Sequence, residues 1–219
     1  MPEMPTEYDI TFAGNSAIDA AIKEMLPCFD PASQRRLRKA ILNARMAAEK
    51  HKDDNTDAGA RHIFRELIPA AQLNANGFNL EYERSIDGKT PDWVDLSRGF
   101  MMECLTYERG GSATFHDRVL AAVAGKCSKY GPLASARGFH FVVAVYIDFL
   151  TCVLLEECLE EPNRFRAAFE GCTALSALRF FSETRAVRKR QQYGFVCVSR
   201  DVTVPDLQHW PFYTQTLKG

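Results

Sequence analysis

A chain of 219 residues with 46% hydrophobic content has enough apolar mass for one substantial core, the size of a single domain with peripheral additions. Lys and Arg number 27 against 28 Asp and Glu, a formal net charge of -1. That balance excludes a whole-molecule electrostatic pull toward nucleic acid and leaves only local basic faces for such a role.

The chain opens on MPEMPTEYDITF, which lacks the basic start and apolar stretch of a secretory signal, so a cytoplasmic protein is expected. Ser16 to Met25 reads as a short helix, ended by Pro27. Asp30 or Ser33 can cap a second helix running to about Lys52, with Leu37, Ile41, Leu42 and Met46 as its apolar set. A third helix is expected over about Asp57 to Ala71, with Ile63, Leu67 and Ile68 inward and Glu66 partway along. Asn74-Ala75-Asn76-Gly77 is a turn signal, and the alternation of Phe78 to Ile86 predicts a strand. Asp87-Gly88 predicts a hairpin turn. Pro91 to Leu96 is a second short strand, since Pro fits a strand's beginning or an edge. Phe100 to Tyr107 is a third.

Helical spacing returns from Phe115 to about Tyr130, with Val119, Leu120, Val123 and Cys127 as its stripe, and Gly131-Pro132 is expected to stop it. Phe139 to Phe149 is an apolar, β-branched fourth strand. A strand, a helix and a strand in succession form a crossover, so the third and fourth strands are expected to be parallel neighbours. A helical region is expected from about Pro162 to Arg190, and a fifth strand over Tyr193 to Arg200. The aromatic tail HWPFYTQTL is expected to pack over the core. These elements predict an α/β sandwich with a small mixed sheet.

The apolar run from Phe139 to Leu155 contains His140 and Asp148 and is shorter than the ~20 residues of a spanning helix, so no membrane association is expected. Seven cysteines, at 28, 104, 127, 152, 158, 172 and 197, form no CxxC pair. Neither a disulfide framework nor a zinc ribbon follows, and a reducing compartment is expected. The five histidines lack ligand spacing, and no glycine-rich phosphate loop occurs.

Chemistry concentrates in KTPDWVDLSRGFMMECLTY, Lys89 to Tyr107. Asp92 follows Pro91, and Glu103 sits inside an apolar strand, where a carboxylate is costly unless it is paired or binds a cation. Alternation places Met101, Glu103 and Leu105 on one face of the third strand. If Asp92 opens the neighbouring strand, the two carboxylates can converge on a divalent cation. Hard oxygen ligands suit Mg²⁺, and the backbone carbonyl of Cys104 can add a third ligand.

In this element order, αβββαβ, Pro91-Asp92 and Glu103-Cys104-Leu105 resemble the motif of the PD-(D/E)xK nuclease superfamily, the restriction-endonuclease-like proteins. The resemblance covers a core of roughly 57–149 within a single domain, with an N-terminal helical extension over 1–56. Helices and the fifth strand occupy 150–219. It implies that Asp92 and Glu103 bind Mg²⁺ or Mn²⁺, that the reaction is phosphodiester hydrolysis, and that DNA or RNA is the substrate. It also points to Glu66 as an additional acid, with Glu81 and Glu83 weaker candidates for that place. The family's lysine falls on Leu105, which can neither position water nor offset charge. A lysine from the following helix, Lys126 by preference or Lys129, is the expected replacement. The alternative is a decayed site on the same fold, serving as a nucleic-acid- or protein-binding module. The basic segments Arg35 to Lys50 and Arg179 to Arg190 are candidate phosphate-backbone contacts.

Overall fold

The computed structural model describes residues 16–50, 58–107, 114–147, 162–184, 192–199 and 214–216. Two units divide the chain, Met1–Arg84 and Ser85–Gly219.

The first unit holds α1 (Ser16–Met25), a 3-10 turn at Leu26–Cys28, α2 (Pro31–Lys50) and α3 (Ala58–Ala75). Asp30 caps α2, its Oδ1 accepting the amides of Ala32 and Ser33 at 2.8 and 3.1 Å. Leu37, Ile41 and Arg45, one turn apart, are the buried stripe of α2. Met46 is exposed instead, because the Arg45 guanidinium finds a buried carboxylate, Asp19 of α1, and its stem supplies the apolar contact. Gly59 lets α3 lie close on α2: a Cβ there would stand 2.8 Å from Ala44 Cβ.

The strand expected over Phe78 to Ile86 shrinks to β1 (Glu81–Tyr82). Side chains take the backbone partners that a strand would need. Asn74 Oδ1 accepts Leu80 N–H at 2.8 Å, Ser33 Oγ accepts Tyr82 N–H at 2.9 Å, and Arg36 Nε donates to the Tyr82 carbonyl. Glu83 then turns the chain into the left-handed region at φ 46°.

In the second unit, Ile86 and Lys89 exchange backbone hydrogen bonds at 2.8 and 2.9 Å around Asp87 (φ 50°) and Gly88 (φ 75°). Positive φ at both central residues is the tight-turn geometry that Asp-Gly favours. β2 (Trp93–Asp95) pairs antiparallel with β3 (Phe100–Thr106). After α4 (Phe115–Arg137), β4 (His140–Tyr146) lies parallel to β3, from Phe100↔His140 to Thr106↔Tyr146. The crossover is therefore as expected. Met101, Val143 and Val145 pack in one core with Val119, Val123 and Cys127 of α4.

Two expectations are corrected here. α4 does not stop at Gly131-Pro132 but runs to Arg137, where Gly138 (φ 64°) caps it. A helix-interior proline costs about 3 kcal/mol, and burial of Leu133 and Ala134 beyond it offsets that loss. The region from Pro162 is helical only through a 3-10 turn and α5 (Arg166–Gly171); Leu175–Thr184 is β5, parallel to β4. Leu175, Ala177, Leu178, Phe180 and Phe181 are all buried, so both faces of β5 are apolar and its sequence shows no strand alternation. Residues 185–190 lie outside the described residues.

β6 (Gln192–Ser199) pairs antiparallel with β5, and β7 (Thr214–Thr216), from the tail, pairs parallel with β6. The result is an α/β fold with a mixed sheet flanked by helices. Asp148 and Phe149, at the end of the expected fourth strand, lie outside the described residues, as does the aromatic tail apart from β7. Among the described residues, no helix is long and apolar enough to cross a membrane.

Candidate functional site

Pro91 is buried at the entrance to β2, which places Asp92 one residue before the ladder begins. The β2–β3 pairing ends at Trp93↔Met102. Past that point the Asp92 side chain takes over: its Oδ2 accepts Cys104 N–H at 2.7 Å. In return, Glu103 Oε1 accepts Asp92 N–H at 2.9 Å. The two acids thus hold each other's backbone and converge. Glu103 projects from the β3 face that carries Met101 into the core beneath α4.

Lys126 closes the cluster from α4. Its Nζ donates to Glu103 Oε2 at 2.6 Å and lies 3.6 Å from Asp92 Oδ2. The Glu103 side chain is fully buried, while Asp92 and Lys126 are 20% and 24% exposed. Both Glu103 oxygens are therefore satisfied, which is what a buried carboxylate requires. The cluster reaches solvent through Asp92 and Lys126.

Two carboxylates face one ammonium, so the fully ionised cluster carries one excess negative charge. Burial, and then the Asp92 carboxylate, push the Glu103 carboxyl up to about 7, against the pull of Lys126. Burial works against the Lys126 ammonium, but Asp92 and Glu103 outweigh it and raise its pKa. We take Lys126 as charged throughout the physiological range and Glu103 as the group that gives up or takes the proton. A second cation beside Asp92 and Glu103 would relieve the excess charge.

The other expected residues are placed differently. Lys129, one turn from Lys126, is exposed, with Nζ 4.6 Å from the centre of the Tyr130 ring. It makes no ion pair with Glu103, because its ammonium is held at the Tyr130 hydroxyl and ring instead. Glu66 lies on α3 in the first unit, buried, where it pairs with His62 Nε2 at 3.0 Å. Glu81 pairs with Arg84, and Glu83 sits at a turn. The Cys104 amide points at Asp92. In an extended strand a residue's N–H and C=O leave on the same edge, so its carbonyl leaves toward the Asp92 side as well. Arg179 is wholly buried on β5, so it is not a phosphate-backbone contact.

Sequence reasoning missed Tyr130. Its hydroxyl donates to the Thr90 carbonyl at 2.8 Å, two residues before Asp92. The available signal was its i+4 spacing from Lys126, which puts both on one helix face.

Comparison with protein-family models, curated proteins and solved structures finds no match for this chain. The chemistry of the donor set is then the guide. Among the described residues, no group of three or more His, Cys, Asp or Glu side chains comes together to hold a metal. Two convergent carboxylates with a solvent-facing side still match what Mg²⁺ or Mn²⁺ uses, one or two acids with the remaining positions filled by water and substrate.

Proposed function

We propose that the Asp92–Glu103–Lys126 cluster hydrolyses phosphodiester bonds of nucleic acid, with Asp92 and Glu103 as the residues that hold Mg²⁺ or Mn²⁺. The observation that carries this reading is the Lys126 ammonium, 2.6 Å from Glu103 and 3.6 Å from Asp92. It supplies from α4 the cation that Leu105 lacks, which supports a restriction-endonuclease-like reading of the αβββαβ order. A metal held there supplies Lewis-acid stabilisation of phosphate charge and lowers the pKa of a bound water.

The chain's own residues do the rest. Glu103, anchored by Asp92 N–H, presents a rigid carboxylate. Asp92, partly exposed, presents the second carboxylate at the mouth. Lys126 offsets charge on the substrate phosphate and orients the attacking water through its N–H donors. The substrate class is DNA or RNA backbone.

One observation favours a second reading. Lys126 already satisfies Glu103 Oε2 and stands beside Asp92 Oδ2, as a permanent counter-ion would. On that reading the site holds no metal, and the fold is a nucleic-acid- or protein-binding module. Mn²⁺ titration calorimetry, with cleavage assays on single- and double-stranded DNA and RNA, decides between them. The hydrolase reading expects Mn²⁺ binding and Mn²⁺-dependent cleavage, both lost in Asp92→Asn and Glu103→Gln, with cleavage lost and binding kept in Lys126→Met. Absence of Mn²⁺ binding and of cleavage in the unaltered protein establishes the counter-ion reading.

A further inference from the structure

Asp92 has to be held in place by something other than the sheet. The Ile86↔Lys89 bridge ends the turn, and β2 begins at Trp93, so no ladder pairs residues 90–92. Pro91 has no N–H to give. The Asp92 amide and carboxylate bond to Glu103 and to Cys104 N–H, but those bonds presuppose that the segment already lies over β3.

Tyr130 supplies the missing anchor. Its ring is 1% exposed and part of the core under α4. Its hydroxyl has a separate task, donating to the Thr90 carbonyl at 2.8 Å across forty residues of sequence. Lys126 and Tyr130 are one helical turn apart. One face of α4 therefore delivers the cation to Glu103 and the hydroxyl to the segment carrying Asp92. A shift of that segment would move Asp92 relative to both Glu103 and Lys126.

We infer that Tyr130 is a positioning residue for Asp92, its hydroxyl setting the separation of the two carboxylates by holding Thr90. The inference rests on the hydrolase reading for its catalytic consequence, but not for the placement of Asp92. Groups that hold metal ligands in place typically change affinity or activity by 10–100-fold when lost. The effect belongs in metal affinity and kcat, not in KM for nucleic acid, because Tyr130 lies beneath the segment and out of reach of a polymer.

Tyr130→Phe keeps the buried ring and removes the hydroxyl, which is both the donor to Thr90 and a partner of the Lys129 ammonium. The full-length variant and the unaltered protein are compared by residue-resolved amide exchange, Mn²⁺ calorimetry and steady-state cleavage. The expected result is roughly tenfold faster exchange at the Asp92 and Cys104 amides, with Met101 and Val143 in the core strands unchanged. Mn²⁺ Kd rises and kcat falls, each by roughly tenfold, at unchanged KM. Unchanged exchange at Asp92 and Cys104 overturns the inference, and so does a uniform rise across β3 and β4, which would mark Tyr130 as merely structural. If the unaltered protein binds no Mn²⁺ and cleaves nothing, the hydrolase reading fails, while the two amides still decide whether Tyr130 places Asp92.

Discussion

Glu103 is a fully buried carboxyl held between an amide donor and an ammonium. An ordinary carboxyl titrates near 4.5, and this one is raised to about 7. Between those values the folded state binds the proton more tightly than the unfolded chain does. Its contribution to stability is complete below the lower value and is lost as pH rises through the upper one. Urea unfolding from about pH 5 to about pH 8 should show stability falling, and Glu103→Gln, which cannot titrate, should flatten that part of the profile. A slope that persists in Glu103→Gln would place the titration elsewhere. At this scale Asp92 and Glu103 were legible, because an acid in an apolar strand demands a partner. Lys126 was legible because a lysine was missing at 105 and a helix followed. Tyr130 was not, since an aromatic at core spacing looks like core, and its partner is forty residues away.

That Lys126 stands over Glu103 is a matter of how α4 lies on β3. Residue 105 is two positions beyond Glu103, about 7 Å along the strand. Ala122 is one turn back from Lys126, about 6 Å along the helix. Because β3 and β4 are parallel, α4 returns antiparallel to them, so these steps run the same way. Leu105 accordingly lines a small pocket with Val119, Ala122 and Val145, while Lys126 stands over Glu103. Lys126→Met should cost about 2–3 kcal/mol in urea unfolding at neutral pH, toward the low end for a broken buried pair because Lys126 is 24% exposed. Adding Leu105→Lys puts an ammonium back on the Glu103 face, and we expect part of both stability and cleavage to return. A double variant no better than Lys126→Met would show that the cation has to come from the helix. Element boundaries were harder to read than element types. Asn74, Ser33 and Arg36 intercept the backbone of the first strand, and nothing in the alternation of Phe78 to Ile86 reveals that.

For the whole molecule, a net charge of -1 gives no strong pull on ions of either sign, so a divalent cation answers to local charge such as the excess at Asp92 and Glu103. A ligand that binds only the folded state stabilises it by about 2.7 kcal/mol at a hundred times its Kd. For a chain of this size that corresponds to a melting shift of about 5–10 °C. We expect Mn²⁺ to produce it, and Asp92→Asn or Glu103→Gln to abolish it; no shift in the unaltered protein would remove the metal from the account. The sequence by itself determined the α/β class, the parallel crossover around α4 and the two acids worth pursuing. Each of these follows from periodicity or from the cost of burying charge, and both are local properties. Only the tertiary structure decided that Leu175–Thr184 is a strand, because a segment buried on both faces has neither a helical nor an alternating pattern. It also decided that Lys126 and not Lys129 faces Asp92 and Glu103. That choice depends on the rotation of α4, which is set by Val119, Val123, Cys127 and Tyr130 packing in the core against the sheet. The Asp92–Glu103–Lys126 cluster forms only when that helix is laid across the segment from Lys89 to Tyr107.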